Sequence, residues 1–288
     1  MIICKRIKDI EKQLVALRKE GKKVSFAPTM GALHSGHISL VKARQKAGWV
    51  TVCSIFVNPT QFNDKADFEK YPITIEGDIM KLIEAGCDIL FLPTVAEMYP
   101  DGFENKKPVD FGFLAQTLEG EHRPGHFDGM AQIVEKLLRI VKPDTLYMGQ
   151  KDYQQQLIVS KLIEKRKLPT KLIAYPTLRE KDGLAMSSRN VRLDAHSRKV
   201  AVQLNKVLRS SMLKLENAKT KKQNADATAI MNTAKATLAK HPEFEVEYYE
   251  LRDAANLQPL TTIAPKQKVV ALVAAKIGGV RLIDNMVG

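Results

Sequence analysis

Short apolar runs that alternate with amphipathic helical stretches restrict how this chain can fold more than any other feature of the sequence. Val50 to Val57 is nearly continuously apolar and ends at Asn58-Pro59, and Asp88 to Pro93 repeats that texture. A strand apolar on both faces has to be covered on both, as in a parallel sheet layered between helices. The intervening residues supply those helices. Ile7, Ile10, Leu14 and Leu17 stand at helical spacing within Lys5 to Glu20 and stop at Gly21, while Glu76 to Ala85 is closed by Gly86. Ile133, Val134, Leu137, Leu138 and Val141 line one side of a helix predicted over Phe127 to Val141. A short strand over Thr145 to Met148 and a helix from Tyr153 to Lys165 repeat the unit, so the expected class is α/β with a Rossmann-like parallel sheet.

The texture changes after Leu172 to Pro176. Helices are expected over about Asp194 to Leu215 and Ala225 to Lys240, flanking the lysine-rich Glu216 to Asn224. Strands follow over Glu245 to Leu251, Val269 to Lys276 and Val280 to Asp284, the last two joined by Gly278-Gly279. At 288 residues and 44% hydrophobic content the chain can bury one sizeable core or two modest ones. The expected division is a Rossmann-like domain over 1–176 and a smaller C-terminal α+β domain over 177–288.

Chemistry is concentrated at Pro28-Thr29-Met30-Gly31-Ala32-Leu33-His34-Ser35-Gly36-His37. Val24 to Ala27 reads as a strand stopped by Pro28, and Ser39 to Arg44 as an amphipathic helix that begins near His34. The first N–H groups of such a helix lack intrahelical acceptors and its dipole is positive there, which favours an anion. His34 and His37 are three residues apart and share one face of the first turn, and Gly36 leaves the backbone open to a phosphate. Two other readings exist for this pair: helix capping, or half of a metal site. The metal reading weakens because His122 and His126, the other histidine cluster, lack a Cys or Glu at ligand spacing. A P-loop is excluded by His37-Ile38 where Lys and Ser or Thr are needed, and no dinucleotide glycine fingerprint occurs. Ligands of open parallel sheets bind beyond the carboxyl ends of strands, so His34, His37, Asn58, Gln61, Lys151 and Asp152 are expected to converge on one crevice.

The formal charge of +13 raises the possibility of nucleic-acid binding. Its distribution argues otherwise, since Lys12, Lys19, Lys206 and Lys214 are scattered on helix faces and the runs Lys165-Arg166-Lys167 and Lys219 to Lys222 lack interleaved aromatics. Solvated faces that help collect anionic small molecules are the expectation, with no nucleic-acid partner. Met1 to Lys23 carries charge throughout, unlike a signal peptide, and no apolar run approaches the roughly 18 residues of a membrane helix. Cys4, Cys53 and Cys87 are odd in number and without CxxC spacing, which suits reduced packing residues in the cytoplasm.

One ordered set of segments runs along almost the whole chain: Pro28 to His37, Ser54 to Phe62, Tyr71-Pro72, Met98-Tyr99-Pro100, Leu118-Glu119-Gly120, Arg123 to Phe127, Gly149 to Gln155, Asp182 to Asn190 and Arg281 to Asn285. In this set the chain closely resembles the pantoate:β-alanine ligase family of the nucleotidyltransferase-type Rossmann superfamily. The histidine turn alone would indicate only the superfamily. The resemblance implies two steps: attack of pantoate carboxylate on the α-phosphate of ATP, giving pantoyl adenylate and pyrophosphate, then displacement of AMP by the β-alanine amine to give pantothenate. Attack of one anion on another needs charge neutralisation and alignment, and the chain offers cations and donors but no Ser-His-Asp order.

By the same resemblance, His34 and His37 bind ATP phosphates, Lys151 and Arg189 with Ser187 and Ser188 hold the β- and γ-phosphates, and Asn58 orients the reacting groups. Met30, Gln61 and Gln155 would enclose pantoate, Met30 would also line the nucleotide site with Gly149 and Asp152, Asp152 meeting the ribose or a nearby polar network, and Met186 would face adenine. Mg²⁺ would arrive with ATP, Asp78 being the candidate ligand. The segment Asp182 to Asn190 is expected to be mobile and to close over ATP with Arg189 as anchor, as part of a C-terminal domain closing over the site. A homodimer is implied. The chain departs from the usual pattern at Ile73, where the family commonly has Arg, at Gly77, where an acidic residue is frequent, and at Gln150, where Glu is common. Competing readings are another adenylyl or cytidylyl transferase with a different acceptor, and a noncatalytic nucleic-acid-binding module.

Overall fold

A computed structural model describes residues 1–43, 45–62, 65–104 and 107–288; of the helix expected after the histidine turn, Arg44 lies outside the described residues. The chain divides into two compact units, Met1–Gln150 with Ile158–Pro176, and Lys151–Leu157 with Thr177–Gly288. The divide after Pro176 is accompanied by a second one inside the helix Tyr153–Lys165.

The first unit is built on six strands: Ile2–Cys4 (β1), Lys23–Thr29 (β2), Trp49–Ile55 (β3), Ile89–Phe91 (β4), Thr145–Gly149 (β5) and Lys171–Tyr175 (β6). Their order is β1-β4-β3-β2-β5-β6 and every pairing is parallel. Successive residues feed opposite faces of this sheet. Phe26, Val52, Ile89 and Leu146 enter one core, with Ile10, Leu14, Phe127, Met130, Val134 and Leu137 from covering helices. Their immediate neighbours Ala27, Cys53, Leu90 and Tyr147 enter the other, with Leu40, Val41 and Leu82. Full burial of each such large side chain contributes about 1.5–3 kcal/mol, so strands apolar on both faces follow from helices on both faces.

Two details depart from the sequence reading. Strand β1 was not anticipated: three residues are too few to display a period, and Ile2 and Ile3 are exposed. Pro28 does not end β2, which continues to Thr29. The β5 ladder meets β2 only at Ser25 and Phe26, so Pro28 lies beyond it, where a strand tolerates a residue without an N–H. Because β3 lies on one side of β2 and β5 on the other, the strand order reverses at β2, and the crevice beyond its carboxyl end is where such sheets bind ligands.

The second unit contains Ala225–Asp226 (β7), Glu245–Asp253 (β8), Thr262–Ile263 (β9), Val269–Ile277 (β10) and Val280–Val287 (β11). Antiparallel β11-β10-β8 form one sheet, with β10 in the middle and buried from Val269 to Ala275; β7 and β9 form a small second one. Gly278 and Gly279, at φ +55° and +70°, join β10 to β11 in a two-residue turn whose two positive φ values glycine accepts without strain. The helix expected over Asp194 to Leu215 is two helices, Ala195–Val200 and Gln203–Thr220. No Gly or Pro marks the break. The second helix runs past Leu215 while burying Leu204, Val207, Leu208 and Leu215 against β8 and β10 residues such as Tyr249, Ala271 and Val273. No helix among the described residues is long and apolar enough to cross a membrane.

Candidate active site

In the first unit the chain leaves β2 through Gly31 and Ala32, both with positive φ (+85° and +49°). Ala32 is costly there because its Cβ crowds the backbone, so the turn must be held from outside. Asp78, fully buried in the first turn of the helix Ile75–Glu84, does so: its carboxylate accepts the N–H groups of Ala32 and Leu33, each at 2.8 Å, and the Thr74 hydroxyl at 3.1 Å. Lys81, one turn further along that helix, donates to the Leu33 carbonyl at 2.7 Å and lies 4.0 Å from the Asp78 carboxylate. A Cβ on Gly31 would sit 3.1 Å from Ile55 Cγ2 and 3.3 Å from Asp78 Oδ2, so this corner admits little besides glycine. The carboxylate expected to face a metal is directed instead at backbone amides.

The turn delivers His34 as the N-cap of the helix Ser35–Lys42. His34 Nδ1 accepts the Gly36 N–H at 3.1 Å, and His37 Nδ1 accepts the His34 N–H at 3.4 Å, a reciprocal capping box made by two imidazoles. The capping reading of the pair is therefore part of the structure. It has a chemical consequence, since an Nδ1 that accepts leaves the proton of the neutral ring on Nε2. The ring centroids are 4.1 Å apart and inclined by 34°, so the two imidazoles stand side by side at a helix N-terminus beyond β2.

Beyond β3, the 3₁₀ turn Pro59–Gln61 carries the next group. Asn58 is buried, and its side chain donates to the Gly129 carbonyl at 3.1 Å and to Gln61 Oε1 at 3.3 Å. Its Oδ1 accepts from the Tyr99 hydroxyl at 2.8 Å and from Thr60 Oγ1 at 3.2 Å. Gly129, on the helix His126–Val141, permits this approach because a Cβ there would lie 2.0 Å from the Thr60 carbonyl oxygen. The Gln61 backbone carbonyl lies 2.9 Å from His126 Nδ1, and its side-chain Nε2 is 2.9 Å from Met30 Sδ. Met30, Asn58 and Gln61, expected near one another, thus form one connected cluster within the first unit. Tyr99, Thr60, His126 and Gly129 were not assigned roles from sequence. Three of them fall in segments that carry the family resemblance, which was the available signal.

Apart from Gly149, the other predicted residues belong to the second unit. Lys151 pairs with Asp152 at 3.5 Å, and the Lys151 carbonyl accepts from Asn285 Nδ2 at 2.7 Å. The neighbouring Asp284 is buried and makes a bidentate ion pair with Arg179, at 2.7 and 3.0 Å. Burial pushes the Asp284 carboxyl above the usual range, with Arg179 pulling it back. Arg179 also donates to the Gly183 carbonyl at 3.1 Å. One node on β11 therefore holds both the Lys151 turn and the start of Asp182 to Asn190.

The start of that segment forms a tight hairpin. Arg179 and Ala185 form an antiparallel bridge, and the Glu180 N–H donates to the Leu184 carbonyl at 2.8 Å. Leu184 and Ala185 are buried, and Asp182 pairs with Arg198 at 2.7 Å. Gly183 serves close packing more than freedom: at φ +95°, a Cβ would lie 2.7 Å from Asn205 Oδ1. Ser187 Oγ caps the 3₁₀ turn Ser188–Arg192 by accepting the Arg189 N–H at 3.2 Å. Met186, Ser187, Ser188 and Arg189 are half-buried, as is Gln155 in the first turn of its helix. Gly149 ends β5 in the first unit.

An open parallel sheet whose order reverses at β2, with paired imidazole donors at the helix that follows, defines a Rossmann-like nucleotide-handling enzyme. The family model described as Pantoate-beta-alanine ligase matches residues 2–287. A pantothenate synthetase from Cytophaga hutchinsonii is 45% identical over 287 residues, spanning 100% of this chain and 99% of the relative. The crystal structure of pantothenate synthetase from Thermus thermophilus superposes with a TM-score of 0.88 at 36% identity, covering 99% of both chains. A pantoate-beta-alanine ligase from Francisella tularensis, complexed with beta-gamma ATP and beta-alanine, superposes at 0.78 and 36% identity over 99% of this chain and 97% of that one. The chain belongs to the pantoate–β-alanine ligase family and is an ATP-dependent ligase that forms pantothenate.

Proposed function

We propose that the chain joins pantoate to β-alanine through a pantoyl adenylate. In the first step a pantoate carboxylate oxygen bonds to the α-phosphorus of ATP, and the bond from that phosphorus to the bridging oxygen breaks, so that pyrophosphate departs with the electron pair. In the second, the β-alanine amine attacks the acyl carbon, AMP leaves, and the amine loses a proton. The observation that carries this reading is the pair of histidines set by reciprocal capping at a helix N-terminus beyond β2, where a phosphate is favoured. Donors at such a place stabilise the charge that accumulates when one anion attacks another. In this reading, which follows the family resemblance, His34 and His37 serve the α-phosphate, and Met30, Gln61 and Gln155 serve pantoate. Lys151, Ser187, Ser188 and Arg189 serve the β- and γ-phosphates, and Asp152 and Met186 the nucleoside.

The donor set does not suit a protein-held magnesium at Asp78, because both carboxylate oxygens receive N–H or O–H groups and the residue is fully buried. Among the described residues no group of three His, Cys, Asp or Glu side chains is placed to hold an ion. Magnesium enters in this reading as part of the MgATP substrate. A homodimer in the cytoplasm completes the proposal, supported by the family resemblance and by three buried free thiols that suit a reducing compartment; sedimentation of the purified chain tests the assembly state.

Isotope exchange between pyrophosphate and ATP tests the order of steps. Exchange is expected with pantoate present and β-alanine absent. Exchange that needs β-alanine, or ignores pantoate, overturns the adenylate route and favours another nucleotidyl transfer.

A further inference from the structure

Asn58 has no hydrogen-bonding capacity left for a ligand. A carboxamide offers two acceptor lone pairs and two N–H donors. In Asn58 Oδ1 takes the Tyr99 and Thr60 hydroxyls, and Nδ2 serves the Gly129 carbonyl and Gln61 Oε1. The amide cannot be turned over, because its oxygen would then face the Gly129 carbonyl, which only accepts. The orientation of Asn58 in turn dictates that of Gln61. Gln61 Oε1 is committed to Asn58 Nδ2, so Nε2 is directed away from it, toward Met30 Sδ at 2.9 Å.

Tyr99 stands at the far end of this chain of bonds and is itself immobilised. It is buried, its ring lies 5.0 Å from Phe103 and 6.3 Å from Phe56, and Lys136 Nζ sits 5.5 Å over its face. The shortest bond of the network is the one its hydroxyl makes to Asn58, at 2.8 Å. We propose that Tyr99 is a positioning residue: while the Gly129 carbonyl sets the sense of the Asn58 amide, the Tyr99 hydroxyl holds that amide in place, and through it Gln61, whose Nε2 on the Met30 side is the donor for the carboxylate or hydroxyl oxygens of pantoate. This rests on the reading of Gln61 as a pantoate contact. Turned the other way, Gln61 would present a carbonyl oxygen to an anionic substrate, so the same residue would repel what it now holds.

A double-mutant cycle on the full-length enzyme tests the proposal. Tyr99→Phe removes one oxygen, and the loss of one well-placed hydrogen bond should raise the KM for pantoate about tenfold, with the KM for ATP and kcat within about twofold. Gln61→Ala should raise the pantoate KM on its own, and adding Tyr99→Phe to it should change that value by less than about twofold, since the two residues act as one unit. Three outcomes overturn the proposal. A Tyr99→Phe effect that persists undiminished in the Gln61→Ala background, or that raises the ATP KM equally, assigns Tyr99 a general packing role. A Gln61→Ala enzyme with unchanged pantoate KM removes the contact itself, and that result is distinct because it appears in the single variant. Should Tyr99→Phe fail to fold, Thr60→Val removes the second donor to Asn58 Oδ1 while keeping the phenol, and the same cycle with Gln61→Ala applies.

Discussion

Asp78 and Leu33 are joined by a 2.8 Å bond between a buried carboxylate and a backbone N–H 45 residues away in sequence. With the equivalent bond to Ala32 and the Lys81 bond to the Leu33 carbonyl, it clamps the peptide that enters the histidine turn. The helix Ile75–Glu84 thus acts on the site through its side chains, which are spaced to receive an N–H pair and to donate to the carbonyl beside it.

Asp78→Ala should lower both stability and adenylation while leaving magnesium dependence alone. Two buried N–H groups lose their acceptor, at about 1–3 kcal/mol each, and Ala32 loses the contact that holds its positive φ. Urea unfolding should report a loss of several kcal/mol at most, and a magnesium titration of the remaining activity should have the wild-type midpoint. A midpoint displaced to higher Mg²⁺ would return Asp78 to the role of metal ligand.

His34 combines a cap with a phosphate donor, and two substitutions separate these. His34→Asn keeps a good cap while removing the Nε2–H donor, and His34→Ala removes both. Each should reduce single-turnover adenylation, losing one transition-state donor typically being worth about 2.7–4 kcal/mol. Only His34→Ala should also lose about 1 kcal/mol of stability. His37→Ala should match the larger rate effect; wild-type adenylation in His37→Ala would leave the pair as capping residues alone.

Arg179→Met should be more damaging than Asp284→Asn. Removing the arginine strands a buried carboxylate, which costs about 3–5 kcal/mol, whereas the asparagine leaves only a partly exposed guanidinium to be solvated. The pH dependence has a definite sign. A carboxyl raised in the folded state contributes stability that is fully present below its unfolded value, about 3.9, and is lost as pH rises through the folded one. Without Arg179 the folded value rises further, so Arg179→Met should be closer to wild type at pH 5 than at pH 8 in urea midpoints.

Burial pushes the Cys87 thiol up to about 12, and Cys53 well above its ordinary value. Neither should react with a thiol reagent at pH 8 until the chain unfolds. Because the folded values are raised, the thiols contribute stability that is intact below about pH 9 and declines as pH climbs toward 12, by up to about 1.4 kcal/mol per pH unit for each thiol. Rapid native-state labelling of Cys53 or Cys87 at pH 8 would contradict their placement in the sheet core.

Local signals in the sequence were sufficient for the α/β class, the strands β3, β4 and β5, the helix Tyr153–Lys165 and the histidine turn. Each is written in residues within a few positions of one another, as apolar runs, helical spacing or a strand-to-helix junction. Tertiary structure alone decided what the polar side chains do. A carboxylate in the first turn of a helix reads identically whether it meets a metal, water or the amides of Ala32 and Leu33, because the partner lies 45 residues away and spacing carries no information about it. Asn58 likewise reads as a ligand contact until Tyr99 and Gly129, from two distant elements, are found to occupy its oxygen and nitrogen. The hairpin at Gly183 follows the same logic, since the arginine and the asparagine that confine it come from outside the segment. Hydrophobic burial is a property of a pattern and can be read from one. A hydrogen bond is a property of a pair, and the fold chooses the partner.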